Sequence, residues 1–421
     1  MATKKKPKKN QTVTTIAVII AIVLLIAAAF FDEGEDSPAG TMRDVAGVLL
    51  TTEGQIDSSQ ILSRQPALTP QSTAQPAQTN ATVYAIPTMA PTSAPASAPA
   101  TNLYQIYFTT PTCPAITERT GGVDNIIADD MLRAQSEVDI AAFDLDSEPM
   151  TAALIALQAR GVRVRVVTDT DNVELESIAQ LRRNQITVVE DERSAFMHNK
   201  FVIIDDRYVW MGSMNFTTND VYCNNNNIVR FDAPALAANY SAEMDEMYID
   251  RSFGPQSPEN TPQEKLMLGE IAIENYFAPE RELELINVIA RTVVRANQEI
   301  LFMAFSFTNE TIGEAMLGRA DGGIPVRGIF EKTGAKGTGS YYPVMRGAGL
   351  ANVEIQVDGN PRILHHKVII VDRKTVVFGS FNFSANANRS NDENIIIVHD
   401  PVFANYFVKE FEARWAEAKP E

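Results

Sequence analysis

His198-Asn199-Lys200, Asp205 and Gly212-Ser213-Met214-Asn215 recur later in the chain as His365-His366-Lys367, Asp372 and Gly379-Ser380-Phe381-Asn382. The gaps within the two copies are identical, and the copies lie 167 positions apart (His365 against His198). The chain holds four histidines, and two occupy equivalent points of this repeat. Two such groups facing each other make a phosphate site. Lys200 and Lys367 supply charge, while Ser213, Asn215, Ser380 and Asn382 hydrogen-bond phosphate oxygens. One imidazole attacks phosphorus and the other protonates the leaving oxygen. Histidine serves both roles because its pKa lies near neutrality. Neither HxK pair contains a carboxylate and the chain has no CxxC, so no metal-ligand spacing is present.

Strands must position these groups. Residues 201–204 and 368–371 are short β-branched apolar runs, each followed after a polar break by another, 208–211 and 375–378. Alternation along a strand puts His198 and Lys200 on one face and Asp205 on the other. Hairpin turns at Asp206-Arg207 and Arg373-Lys374 pair His198 with Asn215 and Lys200 with Ser213. In the second copy they pair His365 with Asn382 and Lys367 with Ser380.

The spacing resembles the HxKxxxxD motif of the phospholipase D superfamily followed by its GSxN element, in both copies, over roughly residues 103–418. That resemblance implies His198 as the nucleophile of a phosphohistidine intermediate, His365 as general acid, and no metal or other cofactor. It gives Lys200, Lys367, Asn215 and Asn382 the task of holding the phosphate. Eleven residues beyond each Asn the family places a group that steadies an imidazole; here these are Asn226 and Glu393, an amide in one copy and a carboxylate in the other. Asp205 and Asp372 are expected behind the site as structural anchors.

Further pairs extend the repeat. Residues 107–108 match 276–277, and 138–143 match 300–305. Helical spacing follows at 150–160 and 311–319, then strands at 161–167 and 323–329. This β-α-β order predicts an α/β fold with a largely parallel central sheet in each of two similar halves, 103–253 and 265–421. A Pro/Gly/Ser-rich linker, 254–264, joins them. The halves are expected to be related by a pseudo-two-fold axis with the active site between them. The loop 334–340 does not match a P-loop and reads as flexible. His366 alternates away from the catalytic face, His399 reads as structural, and Asp144 and Asp146 end a strand near the cleft rim.

The chain is acidic, at −17, and five lysines within residues 1–11 leave −22 for the remainder. That is the wrong sign for a protein living on nucleic-acid backbones, although a local basic cleft can serve a nuclease. Residues 12–31 carry no charge and match the length of a bilayer span. The preceding lysines place the N-terminus in the cytoplasm and the body outside, as a single-pass cell-membrane protein. A cleaved signal peptide is the alternative. Residues 32–102 are expected to form a disordered stalk: 66–99 contain seven prolines and no charged residue. In a polyproline conformation that segment reaches on the order of 100 Å. Cys113 and Cys223 are the two cysteines, and outside the cytosol they are candidates to pair. The expected activity is hydrolysis of a phospholipid headgroup to phosphatidic acid by a monomeric catalytic body. The alternative is a metal-independent nuclease of the same mechanism, acting on DNA or RNA.

Overall fold

The computed structural model describes residues 81–84, 103–280 and 284–420. The expected span at 12–31 and most of the expected stalk lie outside these residues. In chain order the first half contains β1 (Ala81–Tyr84), β2 (Tyr104–Thr109), α1 (Val123–Met131), β3 (Glu137–Ala142), α2 (Glu148–Ala159), β4 (Arg163–Thr168), α3 (Glu176–Arg183), β5 (Val188–Glu190), β6 (Lys200–Ile204), β7 (Tyr208–Gly212), α4 (Thr218–Tyr222), β8 (Asn227–Asp232) and α5 (Pro234–Tyr248). The second contains β9 (Lys265–Leu268), β10 (Ile271–Ala278), α6 (Leu285–Val293), β11 (Ile300–Ala304), α7 (Glu310–Asp321), β12 (Val326–Phe330), α8 (Tyr342–Gly347), β13 (Val353–Val357), β14 (Lys367–Val371), β15 (Thr375–Gly379), α9 (Ala385–Arg389), β16 (Glu393–His399) and α10 (Pro401–Glu417).

Each half is an eight-stranded sheet of the same order, β1-β2-β8-β7-β6-β3-β4-β5 and β9-β10-β16-β15-β14-β11-β12-β13. The expected two similar α/β halves are present, but the sheets are mixed rather than largely parallel. Only β3–β4–β5 and β11–β12–β13 run parallel. Helical crossovers join those strands, whereas β6 and β7 form an antiparallel hairpin and β8 follows antiparallel after α4, as β16 follows the β14–β15 hairpin after α9. Within the expected stalk, Ala81–Tyr84 pairs antiparallel with β2, where β9 pairs with β10 in the second half. The linker is also partly ordered, with a 3-10 turn at Gly254–Gln256.

Side-chain alternation splits the apolar residues into three layers. Along β6, Phe201 and Ile203 face a core shared by both halves, and Val202 and Ile204 face a core under α1–α3. Along β14, Val368 and Ile370 join the shared core while Ile369 and Val371 pack under α6–α8. Helices α5 and α10 lie within the shared layer and also reach across it. The α10 ring Phe407 packs 5.1 Å from Phe108 on β2, and Tyr240 of α5 packs 5.0 Å from Phe277 on β10. Each fully buried Phe contributes roughly 1.5–3 kcal/mol, so these ring contacts tie the halves together, while α5 and α10 each lie mainly on their own sheet. Local signals start the helices: Ser147 caps α2 by accepting from the Met150 N–H, Asn309 caps α7 and Asp400 caps α10, with Pro149 and Pro401 in the first turns of α2 and α10.

Candidate active site

The motif hairpins turn through three residues. Ile204 opposes Tyr208, and Val371 opposes Thr375. The register is therefore one residue away from the two-residue turns expected from the spacing. Asn215 does not oppose His198, nor Ser213 Lys200, and the second-copy pairings shift alike. The cause lies in the turn: Asp205 and Asp206, like Asp372 and Arg373, adopt positive φ, which lengthens the loop. Asp205 takes that conformation while its carboxylate accepts the N–H groups of Gln135 (2.9 Å), Ser136 (2.8 Å) and Glu137 (3.1 Å). Asp372 does the same for Asn297, Gln298 and Glu299 at 3.0, 2.7 and 3.1 Å. Both aspartates anchor the hairpin to the start of the neighbouring strand, at the end remote from the imidazoles.

The two halves meet along a symmetric pair of short β-bridges, Met197 with Asp392 and Asn225 with Leu364. The His198 N–H donates to the Asp392 carbonyl at 2.9 Å, and the His365 N–H to the Asn225 carbonyl at 2.8 Å. These bridges carry each orienting side chain to the histidine of the opposite half. His198 Nδ1 lies 2.7 Å from Glu393 Oε2, and His365 Nδ1 lies 3.0 Å from Asn226 Oδ1. The imbalance between Asn226 and Glu393 is offset by a residue that sequence reasoning missed. Asp220 places Oδ2 3.6 Å from His365 Nδ1, at a position where the second copy has Ala387. Each imidazole thus faces one carboxylate. With Nδ1 committed, Nε2 is the nitrogen left for substrate on both rings. Each imidazole side chain is 8% exposed, enough to meet a substrate at the cleft while excluding bulk water.

Lys200 Nζ donates to the His198 carbonyl at 2.8 Å, and Lys367 Nζ to the His365 carbonyl at 2.9 Å. Each ammonium sits over a phenyl ring, Phe143 at 4.8 Å and Phe305 at 4.9 Å, and the same rings pack edge-on against His198 and His365 at 5.0 and 4.8 Å. Phe143 and Phe305 end matching strands, so the repeat itself held the signal for these wedges. Burial, aided by the two ammoniums, lowers the His198 and His365 imidazoles well below the ordinary histidine range. Burial also lowers Lys200 to about 8 and moves Lys367 in the same direction, with Lys200 adding repulsion. A phosphate monoanion between the ammoniums offsets both effects. Glu393 is pushed up to about 8 by burial, against the pull of Lys200, and Asn391 Nδ2 donates to it at 3.3 Å.

The amides and hydroxyls divide. The Oδ1 atoms of Asn215 and Asn382 are buried without a hydrogen-bond partner at symmetric places. A half-turn of each amide presents its NH2 instead, which suits a phosphate oxygen. The reading of Ser213 and Ser380 as phosphate ligands is revised. Ser213 Oγ donates to Asn226 Oδ1 at 3.0 Å and accepts the Asn227 N–H at 3.1 Å, and Ser380 Oγ accepts the Asn394 N–H at 3.0 Å. Both hydroxyls brace the strands that carry Asn226 and Glu393. The preceding glycines allow that contact: a Cβ on Gly212 would lie 2.3 Å from the Asn227 carbonyl oxygen, and one on Gly379 would lie 2.2 Å from that of Asn394.

A second crossed layer lies behind the site. Asn394 Nδ2 donates to Asn199 Oδ1 (2.7 Å), whose Nδ2 donates to Glu243 (2.7 Å). Its counterpart runs from Asn227 through His366 Nδ1 (2.9 Å) to Glu410 (3.3 Å). His399 bonds Glu274 at 2.8 Å, away from the imidazole pair. Asp146 caps α4 through the Thr218 N–H at 2.6 Å, and burial raises Asp144 to about 6. Cys113 and Cys223 form a disulfide with Cα atoms 4.3 Å apart, tying the chain after β2 to the residue preceding Asn224–Asn227.

Comparison with known proteins agrees with this architecture. The family described as "Cardiolipin synthase, PLD-like domain" matches residues 127–248 and 289–415, one match in each half. The mitochondrial cardiolipin hydrolase of Xenopus tropicalis is 31% identical over 137 residues, which is 32% of this chain and 64% of that protein. The phospholipase D of Rickettsia felis is 32% identical over 121 residues, 29% of this chain and 59% of that one. The chain therefore spans about three fifths of the length of these relatives. The phosphatidylserine synthase of Haemophilus influenzae, at 14% identity, shares the fold with a TM-score of 0.57 over 70% of this chain and 85% of that one. With a family match in each half covering more than half its length, the chain belongs to the phospholipase D superfamily as a protein with two PLD-like domains.

Proposed function

We propose that the chain is a phosphodiesterase that cleaves phospholipid headgroups to phosphatidic acid. The observation that carries this reading is the pair of imidazoles whose Nδ1 atoms are held from the opposite half, leaving two Nε2 atoms beside Lys200 and Lys367. In the first step His198 Nε2 attacks phosphorus and forms a phosphorus–nitrogen bond. The bond to the headgroup oxygen breaks, and that oxygen takes the proton from His365 Nε2. His365, now neutral, accepts a proton from water as the water oxygen attacks the phosphohistidine. Phosphatidic acid leaves, and both histidines return to their starting states. Lys200, Lys367, Asn215 and Asn382 hold the non-bridging oxygens, so the residues themselves meet the phosphate charge without a metal.

Three features favour a lipid. Relatives carry the names phospholipase D and cardiolipin hydrolase. Phe196, 39% exposed, packs 5.2 Å from Phe143 beside His198 and gives the mouth an apolar lip. The acidic body repels a polyanion. Residues 12–31 are proposed to anchor a monomeric body outside the cytoplasm, and the Cys113–Cys223 disulfide supports an oxidising compartment. The test incubates the protein with phosphatidylcholine, cardiolipin and single-stranded DNA in parallel. Release of headgroup from either lipid with intact DNA is expected; cleavage of DNA alone refutes the lipid reading in favour of a nuclease.

A further inference from the structure

The loops that lead into the two histidines brace the opposite half at equivalent places but with different groups. In the repeat Arg193 corresponds to Asn360, and the segment 390–393 corresponds to 223–226. Asn360 Nδ2 donates to the Cys223 carbonyl at 3.3 Å and to Asn225 Oδ1 at 2.6 Å. Arg193 Nη1 donates to the Ser390 carbonyl at 3.1 Å, and its Nη2 pairs with Asp392 Oδ2. An amide pair therefore stands behind His365 where an ion pair stands behind His198. The ion pair is enclosed: the Asp392 side chain is 1% exposed and that of Arg193 23%. Arg193 Nε faces Asp191 Oδ2 at 3.3 Å, and Asp392 Oδ1 accepts the Gly254 N–H at 2.5 Å. Gly254 has a φ of +60°, and a Cβ there would lie 1.7 Å from Arg193 Nη1 and displace the guanidinium. Three contacts around His198 come from the braced segment. The Asp392 carbonyl accepts the His198 N–H at 2.9 Å, Glu393 Oε2 lies 2.7 Å from His198 Nδ1, and Asn391 Oδ1 accepts the Phe196 N–H at 3.2 Å.

We propose that Arg193 is a positioning residue for His198, acting through Asp392 and Glu393 of the other half. Its kinetic consequence rests on the phosphodiesterase reading above. The planar guanidinium holds the Ser390 carbonyl and the Asp392 carboxylate at once, which a single ammonium does not do with the same geometry. Without it Asp392 is a buried charge lacking its cation. The segment 390–393 then shifts, and the Glu393 carboxylate no longer aims His198 Nε2 at phosphorus. A displacement of roughly 1 Å at a reacting group costs on the order of a hundredfold in rate.

The test uses the full chain above about pH 8, where Glu393 is ionised. It measures the pre-steady-state burst on two phosphodiesters, one with a p-nitrophenyl and one with an alkyl leaving group. R193Q should slow the burst at least about tenfold on both, with its amplitude per folded protein unchanged. R193K keeps the charge but not the fork and should fall between R193Q and the parent. R193Q/D392N rebuilds the kind of amide pair found behind His365 and should recover most of the rate. A parental burst rate in R193Q overturns the proposal, as does a loss confined to the amplitude or to the alkyl ester. If R193Q does not fold, a parental rate in R193K overturns it as well. A proton–nitrogen correlation spectrum of the histidine-labelled chain gives a readout without turnover. His198 should be a single tautomer protonated on Nδ1 in the parent and a mixture in R193Q, while His399 is unchanged. An unaltered His198 signal overturns the proposal. The His198 change with neither ester turned over by the parent keeps the proposal and refutes the phosphodiesterase reading. Turnover of both esters at the parental rate by R193Q does the reverse.

Discussion

Glu393→Gln tests the crossing of the halves, because the within-copy and crossed arrangements give opposite kinetic signatures. Glu393 is fully buried and its Oε2 lies 2.7 Å from Nδ1 of His198, the histidine of the other half. As His198 Nε2 attacks phosphorus the ring becomes cationic, so the bond to the carboxylate strengthens in the transition state. A hydrogen bond to a charged group contributes about 1.5–3 kcal/mol against about 1 kcal/mol for a neutral one. Above about pH 8, where Glu393 is ionised, Gln keeps the neutral bond and loses the difference of roughly 1–1.5 kcal/mol, which slows phosphoenzyme formation about tenfold. The assay is the pre-steady-state burst with two phosphodiesters, one with a p-nitrophenyl leaving group and one with an alkyl alcohol. A similar loss on both is expected, since attack is impaired and protonation by His365 is not. A rate unchanged for p-nitrophenyl and reduced only for the alkyl ester would falsify the crossed assignment, because Glu393 would then be acting on the acid. The variant should also fold well. The Glu393 carboxyl is raised from 4.5 to about 8 by burial, so between those values the unfolded chain binds fewer protons and stability falls as pH rises. Gln lacks that dependence, so the variant should gain stability relative to the parent toward pH 8, measured by Tm.

Asp205→Ala removes the acceptor for three backbone N–H groups and should cost about 1–2 kcal/mol of stability. It should leave the burst rate within about twofold, since roughly a few tenths of a kcal/mol separates rates that close; a loss of activity at full stability would place Asp205 in the chemistry. Lys200 is lowered by burial to about 8, so phosphate binding should weaken as pH rises through that value, read as a rising KM; Lys200→Arg should hold KM flat over the same range, and a parent KM that does not rise contradicts the role given to the lysine. The Cys113–Cys223 bond closes a separation of 110 residues, for which loop entropy alone gives about 4–5 kcal/mol. Reduction should therefore lower Tm, and intact mass should show alkylation only after reduction; two thiols alkylated beforehand would remove the bond from solution.

Much of the site was legible because its residues recur. The repeat identified His198, Lys200, His365, Lys367 and the distant roles of Asp205 and Asp372, since chemistry and alternation constrain residue types at set spacings. The order of strands and helices gave two α/β halves. Tertiary structure decided what pairs with what. Turn geometry shifted both hairpins by one residue, because paired positive-φ residues at 205–206 and 372–373 lengthen the loop, and residue spacing carries no dihedral angles. Mixed pairing of the sheets followed from which strands lie side by side, not from their order in the chain. Above all, the bridges at Met197–Asp392 and Asn225–Leu364 set Glu393 against His198, and Asn226 with Asp220 against His365. Within one copy Asn226 and Glu393 look unbalanced; across the interface each imidazole meets a carboxylate, because proximity in a two-fold assembly is set by the axis and not by distance along the chain.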